Sequence, residues 1–249
     1  MKALRTSDVA RAVGVHPNTV RLYESMGFLP AVPRGPNGYR LFSEFHLDQV
    51  RLVWIATRCT WLGGDIRRTA LAVISLSRSG RLALALRKAR DLLVLVREEV
   101  ARAEEAAEFL ERWATQPAHT GTAVSLRIGE VAKLVGATRD MLRGWERDGL
   151  IRVPRDPDNG YREYGSAEID RLRVIRMLRQ ARYSTMSILR IMLRLDRGQK
   201  GDLRSVLDTP PPEEDVYYAA DRWLSALADL EAKARDLVAL TESMLRKHS

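Results

Sequence analysis

Two neighbouring stretches of the sequence are most informative about the fold: Val20–Leu29, VRLYESMGFL, and Asn37–Phe42, NGYRLF. Upstream of them, Ser7–Val13 is a short helical pattern that ends at Gly14, where glycine adopts a left-handed C-cap at little cost. Pro17 follows at the first position of a second helix, where its missing N–H costs nothing. Two short helices around a glycine turn predict a helix-turn-helix.

A small β-wing is predicted after the second helix. The segment Leu29–Arg40 is rich in proline, glycine and arginine, and Asn37-Gly38 before Tyr39 is a strong signal for a two-residue hairpin turn. A further amphipathic helix starts near Ser43. The unit therefore has the order of a winged helix-turn-helix.

The same unit occurs twice in the chain. A shift of 122 residues aligns Leu4–Trp61 with Leu126–Tyr183 without a gap, and fifteen of the 58 positions are identical. The identities form motifs, such as Leu-Arg at the start of each copy and Asn-Gly-Tyr-Arg in each wing. In copy two, Thr138 stands at the N-cap of the second helix, which suits that position. Ungapped similarity over this span indicates two copies of one domain.

Each copy is followed by an apolar seam that steps by four and three residues over about four heptads, the pattern of a coiled coil. The first seam is Leu82, Leu86, Ala89, Leu93, Val96, Val100, Ala103, Ala107 and Leu110; the second is Val216, Ala220, Trp223, Leu227, Leu230, Ala234, Leu237, Thr241 and Met244. The predicted fold is mainly α, with two winged helix-turn-helix domains, each followed by a long helix. The two long helices are expected to form an antiparallel coiled coil, which makes the chain a pseudo-dimer.

The domain boundaries follow from these patterns. The predicted segments are a first winged helix-turn-helix domain at 1–78, a coiled-coil helix at 79–113, a linker at 114–125, a second winged helix-turn-helix domain at 126–200, an insertion or loop at 201–212 and a second coiled-coil helix at 213–249.

Charge and cysteine content narrow the function classes. The formal net charge is +9 and the pI about 10.0, which favours a polyanionic partner, although codon usage alone also explains the excess of arginine over lysine. The single cysteine, Cys59, excludes a disulfide framework or a thiolate metal cluster within the chain. We find no signal peptide, no membrane-spanning stretch and no catalytic constellation, so we expect a cytoplasmic protein that is not an enzyme and needs no cofactor or metal.

The candidate DNA-binding residues lie on the second helix and wing of each copy. Near the start of such a helix, side chains reach base edges, while flanking basic and hydroxyl groups hold phosphates. As base readers we predict Asn18 and Thr19 in copy one, and Arg139 and Asp140 in copy two. The phosphate side is predicted to consist of Arg21, Tyr23, Arg34, Tyr39 and Arg40 in copy one, and of Arg143, Trp145, Arg155, Tyr161 and Arg162 in copy two. Helix-surface ion pairing is the alternative for any single arginine.

These motifs resemble the MerR family of transcriptional regulators, over about 60 residues in each half and through the following coil over nearly the whole chain. The resemblance implies binding to double-stranded promoter DNA, distortion of the promoter spacer and contact with RNA polymerase. Copy two departs from the pattern: Trp145 replaces Tyr23, and Gly144 replaces Leu22, which loosens that helix by up to about 1 kcal/mol. Because the reading positions differ, the preferred half-sites are expected to differ.

Two assemblies fit the tandem organisation. In a monomeric pseudo-dimer the two long helices of one chain pair with each other, since a coil of about 33 residues is about 50 Å long and a twelve-residue linker spans up to about 40 Å. The alternative is a homodimer that carries four DNA-binding units.

A small hydrophobic effector would need a pocket, and the aromatic residues Trp54, Trp61, Trp113, Tyr183 and Trp223 are the candidates for one, with ordinary core packing as the alternative. Two other functions remain open for this fold. One is an architectural DNA-binding protein without promoter specificity, and the other is a small-molecule-binding protein that no longer binds DNA.

Overall fold

A computed structural model describes residues 3–115, 125–209 and 222–248. These residues form helices and short turns, with antiparallel β-bridges but no longer strand in the described ranges. The first copy and its long helix comprise α1 Thr6–Val13, α2 Pro17–Ser25, α3 Glu44–Arg58, α4 Gly64–Arg78 and α5 Leu82–Thr115. The second comprises α6 Ile128–Val135, α7 Arg139–Arg147, α8 Ser166–Gln180, α9 Thr185–Asp196, α10 Leu203–Asp208 and α11 Trp223–His248.

The chain divides into two compact units that do not coincide with its two sequence halves. Unit 1 consists of the residues up to Glu98 together with those from Ala228 onward, and unit 2 runs from Glu99 to Leu227. Helix α5 therefore begins in unit 1 and ends in unit 2, whereas α11 begins in unit 2 and ends in unit 1. Each unit holds one winged helix-turn-helix and a segment of both long helices.

The helix-turn-helix of each unit has the predicted caps. Gly14 ends α1 with a φ of +74°, and Gly136 ends α6 with a φ of +67°, a left-handed conformation that glycine adopts without steric cost. The His16 ring accepts a hydrogen bond from the Asn18 N–H at 3.2 Å, and the Thr138 hydroxyl accepts one from the Met141 N–H at 3.1 Å. The predicted helix-turn-helix is confirmed in both copies, and Gly144 does not interrupt α7.

The wings are hairpins, but their turns are longer than the predicted two residues. In unit 1 the Gly35 N–H donates to the Tyr39 carbonyl, which leaves a three-residue loop. In unit 2 the Asp156 N–H donates to the Tyr161 carbonyl, which leaves four residues. A glycine with positive φ precedes each tyrosine, as three- and four-residue hairpin loops commonly require.

The ungapped sequence alignment conceals this difference. Arg34 pairs with Arg40 across the first wing, and Arg155 pairs with Arg162 across the second, so the second hairpin has one additional residue. Its approach from the second helix is one residue shorter, and the two changes cancel. Shifted by 121 residues instead of 122, Val-Pro-Arg at 32–34 matches Val-Pro-Arg at 153–155.

A buried polar side chain links several elements in the core of unit 1. Gln49 on α3 donates to the carbonyls of Phe28 and Ile74 at 2.9 and 3.2 Å, and it accepts from the Ser77 hydroxyl at 2.7 Å. Because Gln49 is fully buried, these bonds replace all of its hydration. One side chain thus ties α3 to α4 and to the backbone that leaves α2.

Most positions of the predicted seams are buried. On α11 every described seam residue from Trp223 to Met244 is buried, and on α5 only Leu93 and Val100 remain partly exposed. Within unit 1, Arg90 pairs with Glu242 at 2.7 Å and Arg97 with Glu231 at 3.1 Å. A rising number on α5 meets a falling number on α11, so these segments of the two helices run antiparallel.

The segment between copy two and α11 contains a short helix, α10, within the predicted insertion. Asp208 at its end accepts a hydrogen bond from the Ser225 N–H at 3.1 Å. Most of the predicted linker, the prolines at 210–212 and the seam residues Val216 and Ala220 lie outside the described residues. Within the described ranges, no helix has the length and apolar character needed to cross a membrane.

Candidate nucleic-acid interface

The reading positions of the second helix are presented in the same way in both copies. Asn18 is exposed on α2, and its side-chain oxygen accepts a hydrogen bond from Arg21 at 2.8 Å. Asp140, the corresponding residue on α7, accepts from Arg143 at 3.2 Å. The pairing holds each arginine over the first turn of its helix, where it faces solvent. Thr19 lies beside Asn18 and is half-buried, and Arg139 is exposed at the start of α7.

The two aromatic residues predicted on the phosphate side are mostly buried. Tyr23 is 7% exposed and Trp145 6%, so most of each ring belongs to the core of its unit. The ring centroid of Tyr23 lies 6.3 Å from that of Phe28, which follows the same helix. Any contact with DNA is therefore confined to the edge of each ring.

Each wing presents a tyrosine at its end. Tyr39 is 70% exposed and Tyr161 65%, far more than the other tyrosines of the described core. Arg34 donates to the carbonyl of Gly38 within its own turn at 3.2 Å, and Arg155 donates to that of Gly160 at the same distance. The correspondence of Arg34 with Arg155 thus holds even though they are not 122 residues apart.

The last arginine of each wing is paired with the second helix. Arg40 donates from Nε to Glu24 Oε2 at 2.5 Å, and Arg162 donates to Glu146 Oε2 at 2.6 Å. The four side chains are 21–29% exposed, so these are partly screened ion pairs. Arg40 and Arg162 hold the wing against the helix, a role that the sequence prediction of phosphate contact did not include.

A basic groove lies between the start of the domain, the second helix and the wing in each unit. Its volume is about 640 Å³ in unit 1 and about 800 Å³ in unit 2. The identical residues that line both grooves at corresponding positions are Arg5, Arg21, Asn37, Tyr39 and Arg40 in unit 1, and Arg127, Arg143, Asn159, Tyr161 and Arg162 in unit 2. The structure thus brings most of the predicted phosphate-side residues of each copy together.

The sequence prediction missed Arg5 and Arg127. Each is the N-cap of the first helix of its copy, and its backbone N–H donates to an acidic side chain three residues later. That bond leaves the guanidinium group turned to the groove, and the Arg127 guanidinium carbon lies 5.3 Å from the centroid of the Tyr161 ring. The repeated Leu-Arg at 4–5 and 126–127 was the available signal.

The five aromatic residues proposed as a pocket fall in different units. Trp54 and Trp61 belong to unit 1, where the Arg58 guanidinium lies 3.7 Å from the Trp54 ring centroid. Trp113, Tyr183 and Trp223 belong to unit 2. Tyr183 is fully buried, and its hydroxyl donates to the Ala103 carbonyl on α5 at 3.0 Å. Burial raises the pKa of this hydroxyl, which therefore acts as a neutral donor that joins the domain to the long helix.

The lone thiol has the chemistry of a packing residue. Cys59 is fully buried at the end of α3, and burial raises its pKa to about 11, although Lys233 lowers it slightly. A protonated thiol is a poor nucleophile and a poor metal ligand. Among the described residues no group of three or more His, Cys, Asp or Glu side chains is placed to hold a metal ion.

Known proteins match both copies. The family model described as MerR family regulatory protein matches residues 5–42, and the model described as MerR HTH family regulatory protein matches residues 126–195. The HTH-type transcriptional regulator CueR of Salmonella typhi is 34% identical over 123 residues, which cover 48% of this chain and 77% of that relative.

Two further relatives are named for metals. The mercuric resistance operon regulatory protein of Bacillus cereus is 32% identical over 76 residues, and a probable heavy metal-dependent transcriptional regulator of Haemophilus influenzae is 33% identical over 75. Each alignment covers 30% of this chain, which spans 58% and 59% of the length of these two relatives. No solved structure matches the chain.

Proposed function

The chain belongs to the MerR family of regulatory proteins, and we propose that it binds double-stranded promoter DNA as a sequence-specific transcriptional regulator. One observation carries the proposal: the same basic groove, lined by corresponding arginine, asparagine and tyrosine residues, occurs in both copies. An isolated surface arginine is weak support for DNA binding, but a repeated set between a helix and a wing matches the needs of a phosphate backbone beside a major groove. Family membership agrees with the prediction that the chain is not an enzyme.

In this proposal the start of each second helix reads bases while the groove holds phosphates. Asn18 and Thr19 would meet one half-site, and Arg139 and Asp140 the other. Arginine pairs well with guanine and asparagine with adenine, so the two copies would prefer unlike half-sites. Arg5 and Arg127 join the phosphate contacts, and the exposed Tyr39 and Tyr161 follow the backbone beside the wings.

We propose further that one chain acts as a pseudo-dimer in the cytoplasm. The antiparallel ion pairs Arg90–Glu242 and Arg97–Glu231 support it, because they join the long helices of a single chain within unit 1. Binding of both copies to one promoter would distort the spacer and allow RNA polymerase to engage, as the family resemblance implies. Light scattering after size exclusion should give the mass of one chain. A clean dimer mass would favour the homodimer with four DNA-binding units.

Metal sensing of the kind in the names of the Bacillus and Haemophilus relatives is not part of the proposal. A thiolate site needs at least two cysteines, and the one cysteine of this chain is buried with a raised pKa. We propose that any effector is an organic molecule.

The test compares paired neutralisations in the two grooves. Arg5→Gln with Arg21→Gln removes two positive charges from the groove of unit 1, and Arg127→Gln with Arg143→Gln removes two from that of unit 2. Each pair should flatten the log–log dependence of DNA affinity on salt by about 2, since each lost phosphate contact removes roughly one unit of slope. The control double variant Arg67→Gln with Arg87→Gln removes two exposed charges outside the grooves and should leave the slope unchanged.

The operator for this test comes from selection in a random DNA pool. Selected DNA should bind about 10³-fold or more tightly than random DNA. Equal binding would instead indicate an architectural protein, and the absence of any salt-dependent affinity a ligand-binding protein. If only the unit 1 pair changes the slope, copy two does not contact DNA and the pseudo-dimer on two half-sites is wrong.

A further inference from the structure

Unit 2 contains a cavity of about 530 Å³ where the C-terminal end of α5 meets α8 and α9. Trp113 lines it from α5, Ala167 and Arg171 from α8, and Leu193 from α9. Its volume lies within the range of about 300–1,000 Å³ that is usual for small-molecule sites. It is separate from the DNA-binding groove of the same unit, because the two share no residue.

The corresponding place in unit 1 is occupied by side chains. There Phe45 packs edge-on against His248 of α11, with 5.0 Å between the ring centroids. Ala167 stands at the position of Phe45 in unit 2, so the ring that fills unit 1 is missing where the cavity lies. The duplication thus provides an internal reference in which an aromatic ring takes the place of Ala167.

The polar lining has also changed from neutral to charged. Arg171 stands at the position of the buried Gln49, and where Gln49 donates to the Ile74 carbonyl, Arg171 donates to the Asp196 carboxylate. Arg171 keeps one bond of its counterpart, since its Nε donates to the Leu150 carbonyl at 2.9 Å as Gln49 donates to that of Phe28. The rest of its guanidinium group binds both carboxylate oxygens of Asp196.

The charges that remain in the cavity are positive. Its lining contains three arginines, Arg152, Arg171 and Arg197, against two acids, Glu168 and Asp196. Both acids are engaged, because Glu168 accepts from the Gly165 N–H at 2.9 Å and Asp196 is held by Arg171. The hydrogen bond from Arg171 lowers the pKa of Asp196 more than partial burial raises it, so this pair stays ionised. Arg152 and Arg197 are exposed, and the charge of Arg152 also contributes to the lowered pKa of Asp196.

We propose that this cavity binds a small aromatic carboxylate. The ring would lie against Trp113 and Leu193, and the carboxylate would be held by the guanidinium groups of Arg152 and Arg197, which suit a planar anion. The lining of the cavity carries a net positive charge, and both of its acids already accept hydrogen bonds from the protein. Both features disfavour a cationic ligand. The site belongs to unit 2 alone, and its occupation does not require DNA.

The test uses the full chain and 2-naphthoate as the probe, with binding followed by isothermal titration calorimetry in the absence of DNA. The uncharged 2-naphthamide has the same ring and serves as the ligand control. We expect Arg152→Gln with Arg197→Gln to weaken 2-naphthoate binding at least tenfold. Ala167→Phe, which restores the residue of unit 1, should abolish it. The double variant Arg67→Gln with Arg87→Gln removes equal charge elsewhere and should bind like the wild type.

Three results would overturn the proposal: no binding of 2-naphthoate at millimolar concentration, equal binding of 2-naphthamide, or unchanged binding in both cavity variants. Circular dichroism of each variant shows whether it is folded, and the arginine variant, which changes exposed side chains only, keeps the test valid if Ala167→Phe unfolds. Because DNA is absent, a failure here leaves the proposed DNA binding untouched, and the salt-slope experiment is equally independent of this site.

Discussion

At equivalent positions of α3 and α8, unit 1 has Gln49 and unit 2 has Arg171. Both donate to the carbonyl of the residue that leads from the second helix toward the wing, Phe28 or Leu150. Gln49 also accepts a hydrogen bond from Ser77 in the buried core, whereas Arg171 forms an ion pair with Asp196 at the wall of a cavity. The bond to the backbone that leaves the second helix is thus common to both copies, while its surroundings differ.

The proposed DNA-binding surfaces of the two units likewise share their structural contacts and differ in some of their exposed residues. The ion pair that joins the wing to the second helix, here called the wing clamp, has nearly the same Nε–Oε2 distance in both units, 2.5 and 2.6 Å. The residues at the reading positions are different. The contacts that fix the backbone are shared, whereas the residues proposed to meet a ligand or a base differ. Substitutions at four pairs of corresponding positions test this comparison.

The largest effect is expected from Gln49→Ala. It removes the partner of a buried carbonyl, a partly buried carbonyl and a buried hydroxyl, at a cost of about 3 kcal/mol in the free energy of unfolding of unit 1. Arg171→Ala should cost unit 2 about 1 kcal/mol, because Asp196 is 46% exposed on its side chain and water replaces the lost bonds. Urea unfolding followed by circular dichroism measures both. Equal losses would contradict the different roles of the two residues.

The wing clamp should respond equally in both copies. Glu24→Gln and Glu146→Gln each replace an ion pair by a neutral contact, and we expect each to cost about 0.5–1 kcal/mol in stability because the pairs are partly exposed. A looser wing should also weaken DNA binding several-fold. Thermal unfolding and DNA titration of the two variants test this, and a response in one copy alone would show that the clamps are not equivalent.

A smaller effect is expected at Asp48 on α3. Burial raises the pKa of Asp48. The hydrogen bonds from His248 and Lys247, at 3.0 Å each, lower it by more than burial raises it, so the folded pKa lies below its ordinary value. A lowered pKa means that Asp48 stabilises the fold above its unfolded pKa near 4 and that this stability is lost as the pH falls through the folded pKa.

Asp48→Asn should therefore increase amide exchange in the last turn of α11 at pH 6 and reduce the loss of stability below pH 4. Asp170→Asn, at the corresponding position of unit 2, is the control and should leave that turn unchanged. Exchange measured by NMR or mass spectrometry decides between them. An α11 end that exchanges equally fast in both variants and in the wild type would contradict the anchoring role of Asp48.

The smallest effect is expected at Cys59. Cys59→Ala introduces the residue that unit 2 already carries at the buried Ala181, so we expect a loss of less than about 1 kcal/mol. With a pKa of about 11 the thiol of the folded chain should resist iodoacetamide at pH 8 and react once urea unfolds the protein. Rapid alkylation of the native chain would show that the thiol is not buried.

The local features of the fold could be predicted because they depend on short-range rules. Glycine after a helix and proline at a helix start determine the caps, and the four-three stepping identifies the buried side of α5 and α11. The turn of the wing was predicted too short, since Asn-Gly also fits longer loops in which only the glycine has positive φ.

The parts that could not be predicted depend on long-range contacts. No pattern around Arg40 shows that Glu24 lies beside it, and nothing in the sequence alone separates a phosphate contact from an internal clamp. The cavity likewise results from Ala167 and Arg171 facing the end of a helix that is more than fifty residues away in sequence. Arg5 and Arg127 could have been predicted, because the same residue occurs at this position in both copies.

The division of α5 and α11 between the units has a consequence for the continuity of the chain. A single cut between residues 115 and 125 would give two fragments, and neither would contain a whole unit, because unit 1 needs the end of α11 and unit 2 needs the end of α5. We expect such fragments to assemble with each other, as the two parts of a split reporter protein do. In the proposed pseudo-dimer the peptide link sets the stoichiometry at one copy of each proposed reading surface, so an operator with two unlike halves would have an orientation that a palindrome lacks.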